Sequence, residues 1–324
     1  MPDEFPSVTV IVPTRPGQSE IAAVEACRAL DYPRERLEIL VARGRQPAVQ
    51  RNAALKSARG EIIYFLDDDS RPLPGKLRLG VAHFKRPEVK MVGGPNLCPP
   101  DAPFLEQVFA VVLGSRLAFG PSRARYAPVG PVRAASEKEL ILCNLLARRD
   151  ELEKAGGFDE ALYPNEENAL MDEVQKRGGQ LLYDPEFTVY RRPRPTLLAF
   201  VRMLITYGRG RAEQFRLHPG FGSAMNFVPP CFLLYLVGIP LVHLAGLVPL
   251  RLAIWPFVLY LLVLLAETAG RVFRAGLKKG LSACPLILAT HLCYGAGFWR
   301  GLFTRIGEAR ARPSTEVTLE RITL

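Results

Sequence analysis

The chain has 324 residues, 48% of them hydrophobic, and carries a net charge of +10 from 42 Lys and Arg against 32 Asp and Glu. That length suits one domain of ordinary catalytic size plus an appendage. The positive balance admits nucleic acid, anionic lipid or a phosphorylated substrate as partner, but no nucleic acid is expected, because zinc-finger spacing, an RNP-like aromatic motif and a long basic run are all missing.

The N-terminus, MPDEFPSVTVIVPT, has acidic residues where a signal peptide would be positive, so the first domain is expected in the cytoplasm. Within it, residues 7–13 form a β-branched run cut short by Pro13, and residues 19–30 have helical spacing of Ile21, Val24 and Leu30. Strand and helix then alternate: strand 37–41, helix 48–58, strand 61–66, helix 77–84, strand 89–92. Such alternation predicts an α/β fold with a mainly parallel sheet. Residues 93–103 read as an irregular Gly- and Pro-rich loop, 104–119 as one helix, and 120–135 as an arginine-bearing surface loop able to close over substrate.

Between Leu217 and Leu250 no charged residue occurs. Three apolar stretches, about 227–248, 252–271 and 281–299, each approach the roughly 20 residues a bilayer requires. Arg271, Arg274, Lys278 and Lys279, between the second and third, belong on the cytoplasmic side by the positive-inside rule, and the turn at Arg251 then faces outward. Three crossings would put the tail outside, yet it carries Arg300, Arg305, Arg310 and Arg312; charge and parity disagree. Boundaries of 1–216 for the α/β domain, 217–308 for the anchor and 309–324 for a basic, polar tail follow. The six scattered cysteines read as buried thiols, and the four histidines have no ligand spacing, so no zinc site is expected.

Asp67, Asp68 and Asp69 follow the third strand directly, at the carboxyl edge where open α/β sheets bind ligands. The cluster is either a Mg²⁺ or Mn²⁺ site shared with a diphosphate or a solvated acidic turn before Pro72. A second acidic feature, Glu166 and Glu167, opens a helix after the Gly156-Gly157 turn, where the helix dipole holds a carboxylate in position to accept a proton.

In order and spacing, VTVIVPT, FLDDDS, GGFDE and NEEN resemble the inverting glycosyltransferases of family 2, which have the GT-A fold. RRPRPTLLAFVRMLITYGRGRAEQF and CYGAGFWRGL are similar to the membrane-anchored bacterial exopolysaccharide subgroup, of succinoglycan type. The resemblance implies a donor site that includes Pro13, Thr14, Asp67 and Asp68. It makes Asp67 and Asp69 the metal-binding pair, with Asp69 the main ligand of Mg²⁺ or Mn²⁺, and the Arg51-Asn52 pair a donor-side element. Glu167 stands where the family has its aspartate base, one methylene longer, with Glu166 in support. Asn144 and Arg148 precede GGFDE as in relatives, the plain alternative for CNLLARR being a helix with an exposed charged end.

The second strand ends VARGRQ in place of the family's Asp-Asp-Gly-Ser, so the nucleotide base is unassigned, and Arg43 and Arg45 meet either phosphate or solvent. There is no QxxRW sequence, which favours transfer of one sugar over polymerisation. The implied reaction takes a nucleotide-sugar donor to a lipid-linked glycan acceptor at the inner membrane. Arginines of 120–135, or Arg209 and Arg211, would neutralise the leaving diphosphate, and Tyr207 to Arg216 is placed for a lipid phosphate. The alternative is a non-catalytic membrane scaffold or sugar-binding subunit that keeps the fold. Nucleotidyl transfer is disfavoured by TRPGQSE, a poor phosphate loop after the first strand, and transport by a lone acid, Glu267, in the spans.

Overall fold

A computed structural model describes residues 5–160, 162, 165–217, 219, 221–246, 248–304 and 316–322. Tyr163 and Pro164 of the acidic motif, His218, and Arg305, Arg310 and Arg312 of the tail lie outside the described residues. In chain order the elements are β1 (Val8–Thr14), α1 (Ala22–Arg28), β2 (Leu37–Arg43), α2 (Pro47–Ser57), β3 (Ile62–Phe65), β4 (Arg71–Pro72), α3 (Lys76–Ala82), β5 (Val89–Gly93), β6 (Asn96–Leu97), α4 (Phe104–Leu113) and α5 (Arg116–Phe119). There follow β7 (Arg133–Ala134), β8 (Leu145–Arg148), α6 (Arg149–Lys154), α7 (Glu166–Lys176), β9 (Gln180–Tyr183), β10 (Val189–Tyr190), α8 (Leu197–Leu217), α9 (Val228–Leu244), α10 (Leu250–Ala253), α11 (Trp255–Ala275), α12 (Leu277–Phe303) and β11 (Thr318–Ile322).

The chain forms two compact units, the first comprising Met1–Pro99, Pro121–Arg192 and Ala309–Leu324. Its eight-stranded mixed sheet has the order β11-β2-β1-β3-β8-β5-β9-β7. β1 is buried at all seven positions, as a central strand covered on both faces must be, and pairs in parallel with β2 and β3. One apolar core sits under α1 and α3 (Val24, Cys27, Leu77, Val81), the other under α2, α6 and α7 (Leu55, Leu152, Met171, Val174). A small second sheet, β4-β10-β6, lies beside the turn that follows β3.

Two sequence expectations change in this unit. Leu145–Arg148, within the segment whose plain reading was a helix with a charged end, is the antiparallel strand β8 between β3 and β5. The end of the expected free tail is an edge strand: β11 pairs antiparallel with β2 from Thr318↔Arg43 to Ile322↔Ile39, and Glu320 bonds Arg43 while Arg321 pairs with Glu38. Its backbone pairing covers an edge that β2 would otherwise leave open.

The second unit comprises Pro100–Gly120 and Pro193–Glu308, so it begins before Leu217 and takes a segment from the middle of the expected α/β domain. The single helix expected over 104–119 breaks at Gly114 and Ser115 into α4 and α5. Glu267 of α11 explains that break. Its carboxylate accepts from Ser115 Oγ at 2.7 Å, the Arg116 amide at 3.1 Å and Arg271 Nε at 2.9 Å, capping α5. The lone acid is therefore an internal clamp rather than a step on a transport path.

Among the described residues, three helices are long and apolar enough to cross a membrane: Ala224–Leu244, Leu250–Ala275 and Leu277–Phe303. α8 and α12 approach through glycine, since a Cβ on Gly208, Gly297 or Gly301 would overlap the carbonyl of Tyr294, Ile205 or Arg209 respectively. Of the six free cysteines, expected to be buried, Cys27 and Cys143 are buried, Cys98, Cys284 and Cys293 are partly exposed, and Cys231 on α9 is exposed.

Candidate active site

Register brings the site together. Ile11 lies opposite Phe65 in the parallel β1–β3 pair, so three residues further on Thr14 comes level with Asp68, and Thr14 Oγ1 donates to Asp68 Oδ2 at 3.3 Å. Pro13 and Thr14 are both buried at this carboxyl edge. Asp68 has its carboxyl raised from the ordinary value, first by burial and then by Asp69 and Asp67, with the Thr14 bond and Arg191 opposing.

Arg51, on the second turn of α2, is the hub. Its Nη2 lies 3.2 Å from Asp67 Oδ1 and its Nη1 lies 3.1 Å from Glu166 Oε1, with only 7% of the side chain exposed. A single guanidinium thus joins the acidic turn after β3 to the acidic pair that opens α7, which lies 115 residues from Arg51 in sequence. The Phe158 ring lies under it, 5.7 Å from ring centre to guanidinium carbon.

Glu166 is 4% exposed and its carboxyl is pushed up to about 7 by burial and then by the neighbouring Glu167, against the pull of Arg51. Glu167 is more open, 25% of its side chain being exposed, and faces Arg125 Nη1 at 3.8 Å. Arg125, from the 120–135 segment, is itself buried. It is held by the Glu137 carbonyl and by Asn168 Oδ1 at 2.6 Å, so this part of the expected surface loop is anchored beside the acidic pair. Asn165 precedes α7 with φ of 109°, a left-handed conformation that asparagine tolerates. Its Oδ1 accepts from Asn168 Nδ2 at 3.0 Å, fixing the approach to the helix.

A residue the sequence reading passed over completes the cluster. Arg191 Nε lies 2.7 Å from Asp69 Oδ1 and its Nη2 lies 3.1 Å from Asp67 Oδ2. Arg191 follows β10, whose Tyr190 pairs with Arg71 of β4, and its amide donates to the Leu97 carbonyl. The small sheet thereby holds it against the aspartates. In sequence RRPRP enters only as the start of the segment similar to the exopolysaccharide subgroup, and nothing local identifies its first arginine.

Other expected donor-side residues are engaged elsewhere. Asn52 bonds the Phe158 backbone in both directions, at 2.9 and 2.8 Å, and Glu160 at 2.9 Å, clamping the turn in which Gly157 takes φ of +76°. Arg43 is held by Glu320 and by the Gln18 carbonyl, while Arg45 is exposed. Asn144 and Arg148 bind the Phe187 carbonyl and the Val89 and Phe84 carbonyls respectively, positions inside the fold.

The donor set fits a hard divalent cation. Asp67 and Asp69 both reach the same guanidinium, so their oxygens converge on one positive charge at an edge open to phosphate oxygens. Among the described residues no group of three or more His, Cys, Asp or Glu side chains forms a complete protein-only cage. A metal here would draw further ligands from substrate or water.

A model of the family described as "Glycosyl transferase family group 2" matches residues 62–266, more than half of the chain. The succinoglycan biosynthesis protein ExoA of Rhizobium meliloti (strain 1021) is 24% identical over 198 residues, covering 61% of this chain and 56% of that protein's length. The structure is similar to that of the mannosyltransferase PcManGT from Pyrobaculum calidifontis in complex with GDP-Man and Mn²⁺, with a TM-score of 0.58 at 18% identity, over 93% of this chain and 88% of that one. Those comparisons give the unit built on the mixed sheet its GT-A character.

Proposed function

Because the chain belongs to glycosyl transferase family group 2, we propose that it transfers one sugar from a nucleotide-sugar to a lipid-linked glycan, with inversion, in the biosynthesis of an extracellular polysaccharide. The observation that carries this reading is the Arg51 bridge, which brings the Asp67 turn and the Glu166-Glu167 pair to one place at the carboxyl edge of the sheet. A donor diphosphate and a base are required within one sugar's width of each other, and this edge supplies carboxylates for both tasks.

In the proposed mechanism the acceptor hydroxyl gives its proton to Glu167 as its oxygen attacks the anomeric carbon from the face opposite the diphosphate. The new C–O bond forms as the bond to the leaving phosphate oxygen breaks, and the electron pair departs with the nucleoside diphosphate. Mg²⁺ or Mn²⁺, held by Asp67 and Asp69, supplies Lewis-acid neutralisation of that developing charge when bound. Glu166 keeps Arg51 fixed, and Arg125 orients Glu167 from the other side. Asp68, hydrogen-bonded to Thr14, keeps the strand ends together under the donor.

The ExoA likeness and the apolar helices support an acceptor carried in the membrane, with the α/β unit on the cytoplasmic side. Arg209 and Arg216 on α8 offer positive charge for its phosphate. PcManGT is described with GDP-Man and Mn²⁺, which makes that pair the first to try.

The test is nucleoside diphosphate release by the purified full chain in lipid, across GDP-, UDP- and dTDP-sugars with Mn²⁺ or Mg²⁺. Metal-dependent release that falls roughly 10²- to 10⁴-fold in Glu167→Gln and in Asp69→Ala would support the reading. No donor-dependent release, with lipid-linked acceptors supplied, would favour the non-catalytic scaffold.

A further inference from the structure

We propose that Arg191 is a built-in counter-ion of the Asp67-Asp69 pair that a divalent metal must displace, so that metal and donor diphosphate bind cooperatively rather than in turn. This rests on the metal-assisted transfer proposed above and adds a residue to it.

Three carboxylates on consecutive residues at a sheet edge repel one another. In this chain the repulsion is met from within. The two ends of the Arg191 guanidinium reach Asp69 at 2.7 Å and Asp67 at 3.1 Å, in the forked geometry that only arginine offers. The remaining oxygen of Asp67 goes to Arg51. The oxygens nearest to a prospective metal are therefore already neutralised, and a bare cation gains less here than at an unpaired carboxylate pair.

The two arginines differ in what holds them. Arg51 has a second acid, Glu166, and is 6% exposed. Arg191 leans on the aspartates with about a quarter of its side chain exposed, and its backbone is pinned by β10 and the Leu97 carbonyl. With the backbone pinned, exchange of partners falls to the long side chain, whose guanidinium turns while its origin stays put. A nucleoside diphosphate gives that head group a new anion a short distance from the old one. Metal and diphosphate together thus compensate Arg191 for the carboxylates it leaves, which neither does alone. On departure of the metal-diphosphate product the guanidinium returns, and the carboxylates are never left unpaired.

The experiment is Mn²⁺ binding to the full chain in detergent, followed by the loss of the free-ion electron paramagnetic resonance signal, without nucleotide. Arg191→Gln should bind Mn²⁺ at least about tenfold more tightly than wild type, the size expected from removing one like charge a few ångströms away. Arg191→Lys, which keeps the charge but cannot fork, should tighten binding by about threefold and serves if the glutamine variant does not fold. In wild type, Mn²⁺ alone should scarcely raise the unfolding temperature, whereas Mn²⁺ with GDP or UDP should raise it; in Arg191→Gln, Mn²⁺ alone should suffice. A folded variant with unchanged or weaker Mn²⁺ affinity overturns the inference, and if Mn²⁺-dependent transfer persists it leaves the proposed function standing. Absence of Mn²⁺ binding in wild type and variant alike, with or without either nucleotide, overturns both.

Discussion

Glu166 and Glu167 are adjacent in sequence and differ in setting. Burial and Glu167 raise the Glu166 carboxyl to about 7, while Arg51 draws it down. An acid whose folded value lies above its unfolded one keeps its full contribution to stability below about 4.5, where both states hold the proton, and loses it as pH rises through about 7. Unfolding measured on the metal-free chain should therefore show Glu166→Gln nearly matching wild type at pH 4 and exceeding it at pH 8, by a few kcal/mol at most. A variant less stable than wild type at pH 8 would mean that the Arg51 pair outweighs the cost of burying the charge. The bridging role of Arg51 gives a second expectation. Arg51→Met removes the influence that lowers the Glu166 carboxyl, so the titration of Glu166, followed by its carboxyl infrared band, should move to higher pH, and an unmoved titration would mean that Arg51 does not hold it down. Sequence alone made the aspartates and the glutamates visible, because three acids after a buried strand and two at a helix start are chemically conspicuous. It could not make Arg191 visible, since an arginine among prolines acquires its partners only when β10 pairs with β4.

At the scale of elements, what was legible followed burial. β1, β2 and β3 are short apolar runs because both their faces are covered, and such runs announce themselves. β8 did not, for Leu-Leu-Ala-Arg is composed of good helix formers and is extended only because β3 and β5 flank it. The two-residue strands of the small sheet are below the reach of any periodicity. Close packing of α8 on α12 was equally hidden, because a glycine in a helix signals nothing until its neighbour is known. Gly208 has no space for a side chain beside the Tyr294 carbonyl. Gly208→Val should lower stability by roughly 1–3 kcal/mol, read as an earlier unfolding midpoint in detergent, and an unchanged midpoint would mean that the helices part without cost. Asn52→Ala belongs at this scale too. Its three hydrogen bonds hold the Gly156-Gly157 turn, so the variant should lose about 1–3 kcal/mol of stability, with any change in donor KM following from displacement of Phe158 under Arg51.

For the whole molecule, the strand pair β2–β11 bears on a conflict that charge and span-counting leave open. Residues hydrogen-bonded in one sheet share one side of a membrane, so an even number of crossings between Arg43 and Thr318 is the expectation. Among the described residues three helices have the length to cross, and the one that differs is α12. Of its apolar stretch, 39% is buried within the protein, against 6% and 11% for the other two. Large exposed apolar side chains crowd the others, Leu234, Val237, Leu241 and Leu244 on α9 and Leu259, Leu262, Val263 and Leu265 on α11, whereas α12 exposes only Leu277, Leu281 and Phe303 among the described residues. The expectation is that α9 and α11 form the crossing pair and that α12, whose Gly297 and Gly301 meet α8, does not cross. Lys278 and Lys279, and with them Arg300, are then expected on the side that the positive-inside rule assigns to them. The expectation is that a green fluorescent reporter fused after Leu324 fluoresces, that alkaline phosphatase fused there is inactive, and that alkaline phosphatase inserted at Arg251 is active. An active phosphatase at the C-terminus would require three crossings, and β11 could not then pair with β2 in the membrane-bound protein.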